Sequence, residues 1–262
     1  MKRIEATFRR LAEAGRGALI PFMMAGDPDP AASADLAVEI LEAGADILEL
    51  GIPFSDPVAD GPVIQRAGQR ALESGTGIKE ILGMVGRIRG ESQAPLVLMT
   101  YYNPVYLYGE ERFMEEAVKA GADAVLMVDL PPEEGAPFFE KVKGAGLDSI
   151  LMVTPTTTGH REEKILDIAS GFIYCVSRRG TTGARRDIPE ELREKVAGIK
   201  ERTDLPVAVG FGISTRDQVE RILSLADGAI IGSALISALE EGEDLTEKLT
   251  IARRFMEGIK AG

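Results

Sequence analysis

Eight short apolar runs recur along the chain, separated by longer segments whose apolar residues follow a helical spacing. The runs are too short for buried helices and most are closed by Gly or Pro, which predicts strands. They cover 18–25, 45–52, 96–101, 124–130, 149–153, 172–176, 206–211 and 228–231. The intervening amphipathic segments predict helices; examples are 30–42, 110–120, 133–145, 189–202 and 215–225.

This alternation predicts parallel strands that are buried on both faces. Eight such units within 262 residues fit a closed (β/α)8 barrel of the α/β class. We expect a single TIM barrel domain over 1–262, with an extra N-terminal helix and additional helices after strands 2 and 8. A doubly wound open sheet is the alternative fold.

Composition narrows the classes of function. Thirty basic against 42 acidic residues give a net charge of -12, which argues against nucleic acid or an anionic membrane as the main partner. A single cysteine, Cys175, excludes an internal disulfide, and the first residues lack a signal-like or membrane-spanning segment, so we expect a cytoplasmic protein. With one histidine, His160, metal chemistry and catalytic triads are disfavoured, and we predict no metal site.

One strand carries a charge where its relatives carry leucine. The segments 42–53, 119–131 and 144–155 are weak internal repeats, and Glu49 aligns with Leu126 and Leu151. A buried structural carboxylate paired with a cation is one interpretation. An acid–base residue is the other, because Glu49 is near the carboxyl end of its strand, where barrel active sites form, and burial raises the pKa of a carboxyl group.

Four loops at the same end of the predicted strands add candidate site residues. Asp56 and Asp60 follow Glu49 and either fix turns or serve the site. The glycines of 209–214 and 231–234 follow strands 7 and 8, the usual phosphate site of such barrels, although ordinary glycine turns are the alternative. The basic loop 177–186 is interpreted as a lid, or else as a solvated charged run.

The run 49–72 resembles the signature of the tryptophan synthase α subunit family. Further segments agree with that family in order and spacing, so that the resemblance covers nearly the whole chain; they are 21–28, 98–109, 129–134, 177–185, 209–214 and 231–234. The resemblance implies a lyase that cleaves indole-3-glycerol phosphate to indole and glyceraldehyde 3-phosphate by a retro-aldol reaction, in the last stage of tryptophan biosynthesis.

The resemblance also assigns roles to residues. Glu49 matches the family's acid–base residue, Asp60 matches the carboxylate that accepts the indole N–H, and Tyr174 matches a tyrosine beside the glutamate. Phe22, Leu126 and Tyr174 would wall the indole pocket, although ordinary barrel core is the alternative for all three. The full set of substrate-binding residues implied by the resemblance is Phe22, Ile64, Leu126, Thr182, Gly183, Phe211, Gly212, Gly232 and Ser233.

A partner is implied as well. The family's α subunit docks on a β subunit in an α2β2 complex and passes indole to it. The pyridoxal phosphate of that reaction is expected in the β partner, with no cofactor in this chain. The residues that match the partner-facing surface are Pro53, Asp56, Pro57, Asn103 and Pro104.

Other functions remain open at this point. Another phosphate-binding barrel enzyme of biosynthesis, such as a phosphosugar isomerase, would turn over a non-indole substrate without using Asp60. A non-catalytic regulatory subunit would activate a β partner without Glu49. A free-standing lyase would share the chemistry and release indole without any partner.

Overall fold

The computed structural model describes residues 1–176, 188–210 and 212–260. The strands are β1 (Ala18–Met24), β2 (Leu48–Gly51), β3 (Leu96–Thr100), β4 (Ala124–Met127), β5 (Asp148–Val153), β6 (Ile173–Val176), β7 (Val207–Gly210) and β8 (Gly228–Ile231). The helices are α1 (Arg3–Glu13), α2 (Pro30–Glu42), α3 (Pro62–Glu73), α4 (Ile78–Glu91), α5 (Tyr102–Tyr108), α6 (Glu110–Ala120), α7 (Pro132–Gly144), α8 (Gly159–Ile168), α9 (Glu190–Lys200), α10 (Arg216–Leu223), α11 (Ser233–Leu239) and α12 (Leu245–Ile259).

The eight strands form a closed parallel barrel in sequence order. Closure is visible in β1, which places Phe22 opposite Glu49 of β2 and Ala18 opposite Gly228 of β8. The predicted (β/α)8 barrel is therefore confirmed, and the open sheet is excluded. The extra N-terminal helix is α1; two helices, α3 and α4, follow β2, and two more, α11 and α12, follow β8.

The prediction missed one helix and overextended several strands. No helix was predicted for the segment that contains Asn103 and Pro104, but it forms α5. The backbone N–H of Tyr102 donates to the Asp129 carboxylate at 2.7 Å, which satisfies a free N–H of the first turn. The run 45–52 contains only the strand 48–51, because Asp46 lies in the turn that enters it.

That turn has a structural role that two of the repeats share. A carboxylate oxygen of Asp46 accepts the backbone N–H of Leu19 at 3.0 Å, and Asp123 accepts that of Leu96 at 2.9 Å. Each aspartate thus binds the preceding strand from the entrance of its own strand. The glycines before them, Gly44 and Gly121, have φ values of 116° and 98°, which glycine adopts without a steric penalty.

Side chains alternate between the barrel interior and the helix layer. The interior residues pack with α1, which covers the amino-terminal end of the barrel; Phe8 of α1 and Phe172 have ring centroids 5.8 Å apart. The buried interior residues other than those of α1 are Ala18, Ile20, Ile47, Val97, Ala124, Leu126, Ile150, Phe172, Ala208 and Ile230. Among the described residues, no helix is long and apolar enough to span a membrane.

The third repeat is shifted by one residue relative to its alignment. Leu126 packs in the barrel interior as expected, but Leu151 packs among the residues that face the helices. Its neighbour Ile150 pairs with Leu126 and occupies the interior position. The comparison of Glu49 with Leu126 therefore holds, and the comparison with Leu151 was wrong, because sequence similarity alone does not fix the period-two register of a strand.

Candidate active site

Glu49 is a carboxylate on the middle of β2 that is fully buried in the barrel. Among the described residues, neither of its oxygens has a hydrogen-bond partner. Burial raises its pKa from 4.5 to about 8, since removal from water penalises the charged form. The structural interpretation required a paired cation, and no described cation bonds to Glu49. A carboxyl group with these properties can both donate and accept a proton near neutral pH.

Tyr174 of β6 lies in the electrostatic field of Glu49. Its pKa is raised well above the ordinary value, first by burial and then by the charge of Glu49. The ring requires a glycine on the neighbouring strand: a Cβ atom on Gly210 would lie 2.8 Å from the Tyr174 hydroxyl oxygen. The predicted pair of Glu49 and Tyr174 is thus brought together inside the barrel.

Asp60 lies on the loop between β2 and α3, at the carboxyl end of the strands. Its pKa is raised, chiefly by burial, while a hydrogen bond from Tyr101 lowers it. The Tyr101 hydroxyl oxygen also accepts the backbone N–H of Ala59 at 2.9 Å. Tyr101 therefore holds both the Asp60 side chain and the backbone next to it.

The predicted pocket walls belong to two different apolar clusters. Phe22 is paired with Glu49 across β1 and β2, and a Cβ atom on Gly51 would lie 2.6 Å from its ring, so this close packing requires glycine. Phe22 belongs to a small apolar cluster that Ile64 of α3 borders. Leu126 is fully buried with the interior residues of the barrel. Phe22 and Ile64 are separate from that core, whereas Leu126 is part of it.

The described glycines of the predicted phosphate site lie after β7 and β8. Gly212 has a φ of 56°, in the left-handed region that favours glycine. Gly232 precedes α11. The first-turn N–H groups of this helix, which begin with Ser233, have no intrahelical acceptor, and no side chain caps them. Gly232 also lies close to Phe22, whose ring is 3.5 Å from the position of a Cβ atom there. Phe22 thus contacts both the Glu49 strand and the Gly232 turn.

Three predicted substrate-binding residues, Thr182, Gly183 and Phe211, lie outside the described residues, as does the predicted lid 177–186. Their assignments stay predictions from the sequence.

The predicted partner-facing residues are on the same end of the barrel. Asp56 and Asn103 are exposed, Pro57 and Pro104 are partly exposed, and Pro53 is buried within the chain. Beside them, three apolar side chains extend into solvent: Val58, Tyr106 and Leu107 are 87%, 62% and 75% exposed. These three residues were not predicted as partner-facing, because an apolar residue in a loop or short helix carries no signal of its exposure.

A cavity of about 1000 Å³ lies at the opposite end of the barrel, beneath α1. Charged residues of its lining are paired with each other, as in Lys2 with Asp148 and Lys200 with Asp227, both at 2.8 Å. The cavity is remote from Glu49 and from the loops that follow the strands. We therefore place the site at the carboxyl end, where the unpaired carboxylate lies.

Comparison with known proteins identifies the family of this chain. The family model for the tryptophan synthase alpha chain matches residues 8–261. The chain belongs to the tryptophan synthase alpha chain family. It is 47% identical to the tryptophan synthase alpha chain of Geotalea uraniireducens, over all of this chain and 98% of that protein. It is 48% identical to the alpha chain of Methanosarcina mazei, over 98% of this chain and 94% of that protein.

Solved structures of the family share its fold. The alpha subunit of Legionella pneumophila strain Paris is 38% identical, with a TM-score of 0.91 over 99% of this chain and 97% of that one. A mutant alpha subunit from the hyperthermophile Pyrococcus furiosus is 37% identical, with a TM-score of 0.86 over 93% of this chain and 97% of that one.

The family membership fixes the reaction. The chain is a lyase of tryptophan biosynthesis that cleaves indole-3-glycerol phosphate to indole and glyceraldehyde 3-phosphate. A phosphosugar isomerase and a free-standing indole-releasing lyase are not favoured. The lyase activity also excludes a purely regulatory subunit.

Tyr101 was not among the predicted site residues. Tyr101 follows the last residue of β3 and is almost fully buried. Its position directly after a predicted barrel strand was the available signal, since active-site side chains of such barrels come from strand ends. Its contact with the Asp60 loop could not be read from the sequence, because 41 residues separate Tyr101 from Asp60.

Proposed function

We propose that Glu49 and Asp60 divide the acid–base work of indole-3-glycerol phosphate cleavage. The observation that carries this assignment is the Glu49 carboxyl group, fully buried and without a partner among the described residues, with a pKa of about 8. Such a group is protonated in the free enzyme at neutral pH. It is therefore suited to begin the reaction as an acid.

In this mechanism Glu49 donates one proton to the substrate and later accepts one from it. Its carboxyl group protonates carbon 3 of the indole ring, and the ring nitrogen becomes positively charged. The resulting carboxylate then removes the proton of the hydroxyl group on the adjacent side-chain carbon. As the aldehyde forms, the bond between the ring and the side chain breaks and its electron pair returns to the ring. Indole leaves, and Glu49 has regained its proton.

Asp60 stabilises the positive charge that develops on the ring nitrogen. Its carboxylate would accept the indole N–H, and the attraction is greatest when the ring is protonated, so the interaction lowers the barrier. Tyr101 supports this role, because its hydrogen bond favours the charged form of Asp60 against the effect of burial. Tyr174, beside Glu49, would orient that carboxyl group.

The phosphate group binds at the turns after β7 and β8 in this proposal. Gly212, Gly232 and Ser233 would supply backbone N–H groups, together with Gly183, Thr182 and Phe211. Phe22, Ile64 and Leu126 would wall the indole pocket. The contact of Phe22 with Gly232 supports one continuous cavity from the indole ring to the phosphate.

We also propose that indole passes to a tryptophan synthase β subunit in an α2β2 complex, and that this subunit holds the pyridoxal phosphate. The exposed apolar side chains of Val58 and Leu107 support a partner surface, since both follow strands of the barrel at its carboxyl end and exposed apolar surface marks interfaces. This surface lies beside Asp56, Pro57, Asn103 and Pro104, with Pro53 buried beneath it. The whole chain, 1–262, would act as one domain in the cytoplasm.

Binding of the purified β subunit tests the proposed surface. Leu107→Asp should raise the Kd for the β subunit by about tenfold or more, because the interface loses a buried apolar contact and gains an unpaired charge. Val118→Asp is the matched control, since Val118 is also exposed but lies on α6. Calorimetric titration measures both. Equal affinity of Leu107→Asp and the wild type would rule out this surface.

A further inference from the structure

An ion cluster joins three segments at the carboxyl end of the barrel. Arg70 of α3 binds both carboxylate oxygens of Asp27, which follows β1, at 2.7 Å each. Its remaining terminal nitrogen donates to Glu240 at 2.8 Å. Arg66, one turn earlier on α3, also donates twice to Glu240, at 3.1 and 2.6 Å. Arg70 is thus the central residue, and Glu240 directly follows α11.

The same three segments meet in an apolar cluster beneath these ions. Its residues come from β1, α3 and α11, with Met99 of β3 at its border. The buried members are Phe22, Met24, Ala67, Ala71 and Ile236. Because this cluster is packed and the ion pairs are partly buried, α3 and α11 are held against each other along their length.

The two helices carry the two halves of the proposed site. Helix α3 begins at Pro62, two residues after Asp60, and α11 begins at Ser233 after Gly232. Arg70 lies in the last turn of α3, and Glu240 lies at the end of α11. The ion cluster therefore fixes the far ends of two helices whose near ends bear Asp60 and the phosphate turn.

Arginine suits this task better than lysine. Its planar guanidinium binds one carboxylate through two nitrogens and a second carboxylate through the third, which fixes direction as well as distance. Asp27 and Glu240 are mostly buried at their side chains, so solvent competes weakly for these bonds. A lysine would supply the positive charge but not the planar set of donors that binds two carboxylates in fixed directions.

We propose that Arg70 is a positioning residue that sets the distance between the phosphate turn at Gly232–Ser233 and Asp60. The enzyme would thereby select substrates that join an indole ring to a phosphate across one fixed span. This inference rests on the proposed function, because it takes Asp60 as the indole contact and Gly232–Ser233 as the phosphate contact.

A fragment experiment separates this role from simple stabilisation. The probes are indole, glycerol 3-phosphate, and a non-cleavable analogue in which a propyl chain joins indole to phosphate. A joined ligand gains affinity over its fragments only when both half-sites are held at the correct spacing. Loss of spacing should therefore weaken the joined analogue and spare each fragment.

Arg70→Met should weaken the joined analogue by about tenfold or more, since a displacement near 1 Å at a site can cost about a hundredfold. The Kd of each fragment should stay within about twofold of the wild type. The affinity of Arg70→Lys for the joined analogue should lie between the affinities of the wild type and of Arg70→Met. In both variants kcat should decrease together with this affinity. Glu240→Gln removes the negative charge that binds Arg66 and Arg70 and changes the shape of the side chain little. This variant replaces Arg70→Met in the experiment if Arg70→Met fails to fold.

The control is Arg87→Met, which breaks an ion pair between α4 and Asp35 of α2 on the outside of the barrel. This variant should bind all three probes like the wild type. Unchanged binding of the joined analogue by Arg70→Met, or an equal loss for all three probes, would overturn the positioning role and leave the proposed function intact. If the wild type itself fails to bind the joined analogue, the proposed function and the inference both fail.

Discussion

The Tyr101 hydroxyl group interacts with the Asp60 carboxylate and opposes the burial that raises its pKa, across the gap between the end of β3 and the loop that follows β2. The same hydroxyl oxygen accepts the Ala59 N–H, so one phenol fixes both the carboxylate and its backbone. Phe54 packs on the Tyr101 ring with centroids 5.2 Å apart, which further restricts the ring. The orientation of Asp60 therefore depends on a residue from another strand.

Tyr101→Phe should lower kcat by about tenfold or more, with a smaller change in KM. The phenylalanine keeps the ring packing but removes the hydroxyl group that orients Asp60 in the transition state. Steady-state kinetics of indole release measures the effect. Tyr108→Phe is the control, because Tyr108 binds Glu116 away from the site. If Tyr101→Phe and Tyr108→Phe are equally active, the Tyr101 hydroxyl does not support catalysis.

Asp60→Asn should lower kcat by about a hundredfold or more, the size expected for loss of one preorganised electrostatic partner. The pH profile adds a second reading. Because the Asp60 pKa is raised and the ionised form is required, activity should fall with decreasing pH through a value above 3.8. Wild-type kcat/KM between pH 4 and 7 tests this. A loss below about tenfold in Asp60→Asn would leave Asp60 as a turn residue.

The buried Glu49 should make wild-type stability decrease with rising pH. Its folded-state pKa of about 8 exceeds the reference value of 4.5, so the folded state binds the proton more tightly than the unfolded state does. Stability from this group is complete below pH 4.5 and is lost as the pH rises to about 8, by on the order of 4 kcal/mol. Glu49→Gln lacks this loss.

Denaturant unfolding of the wild type and of Glu49→Gln at pH 5 and pH 8.5 measures the difference directly. The free energy of unfolding of the variant, relative to the wild type, should be higher at pH 8.5 than at pH 5. A constant difference between the two proteins would contradict the raised pKa of Glu49.

Gly210→Ala should lower the activity strongly, although the substitution adds only one methyl group. The added Cβ atom would lie 2.8 Å from the Tyr174 hydroxyl oxygen and 3.0 Å from a ring carbon, so Tyr174 must move away from its place beside Glu49. We expect activity to fall by about tenfold or more, with destabilisation of about 1–3 kcal/mol from overpacking. Kinetics and thermal unfolding report the two effects.

Gly83→Ala provides the opposite control. Gly83 lies within α4, and an added Cβ atom there meets open space. The substitution should stabilise the protein by about 0.5–1 kcal/mol, because alanine favours the helix interior, and it should not alter activity. Full activity of Gly210→Ala would show that Tyr174 tolerates displacement.

The barrel was predictable because local chemistry and global fold agree. Buried parallel strands give apolar runs such as that of β1, and helices such as α2 and α6 begin and end where their sequence signals predict. The short helix α5 was missed because the Asp129 carboxylate that supports its first turn lies on another loop. Leu151 was misplaced because register depends on the neighbouring strand.

The residues of the candidate site also fall into a predictable and an unpredictable group. Glu49 was identifiable because a charge within an apolar strand is costly unless it has a task. Tyr101, the ion cluster of Arg70 and the exposed face at Leu107 were not, since each depends on contacts or exposure that only the folded chain creates. Residues that act through others carry weaker sequence signals than residues that react.

Indole release from indole-3-glycerol phosphate by the wild type and by Glu49→Gln, each with and without saturating β subunit, tests the central assignment. The amide is nearly isosteric but cannot transfer the proton, so the variant should lose at least about a thousandfold in kcat. The wild type should turn over, and faster with the β subunit. Turnover by a folded Glu49→Gln protein at a rate close to the wild type would contradict the assignment of Glu49 as the acid–base residue.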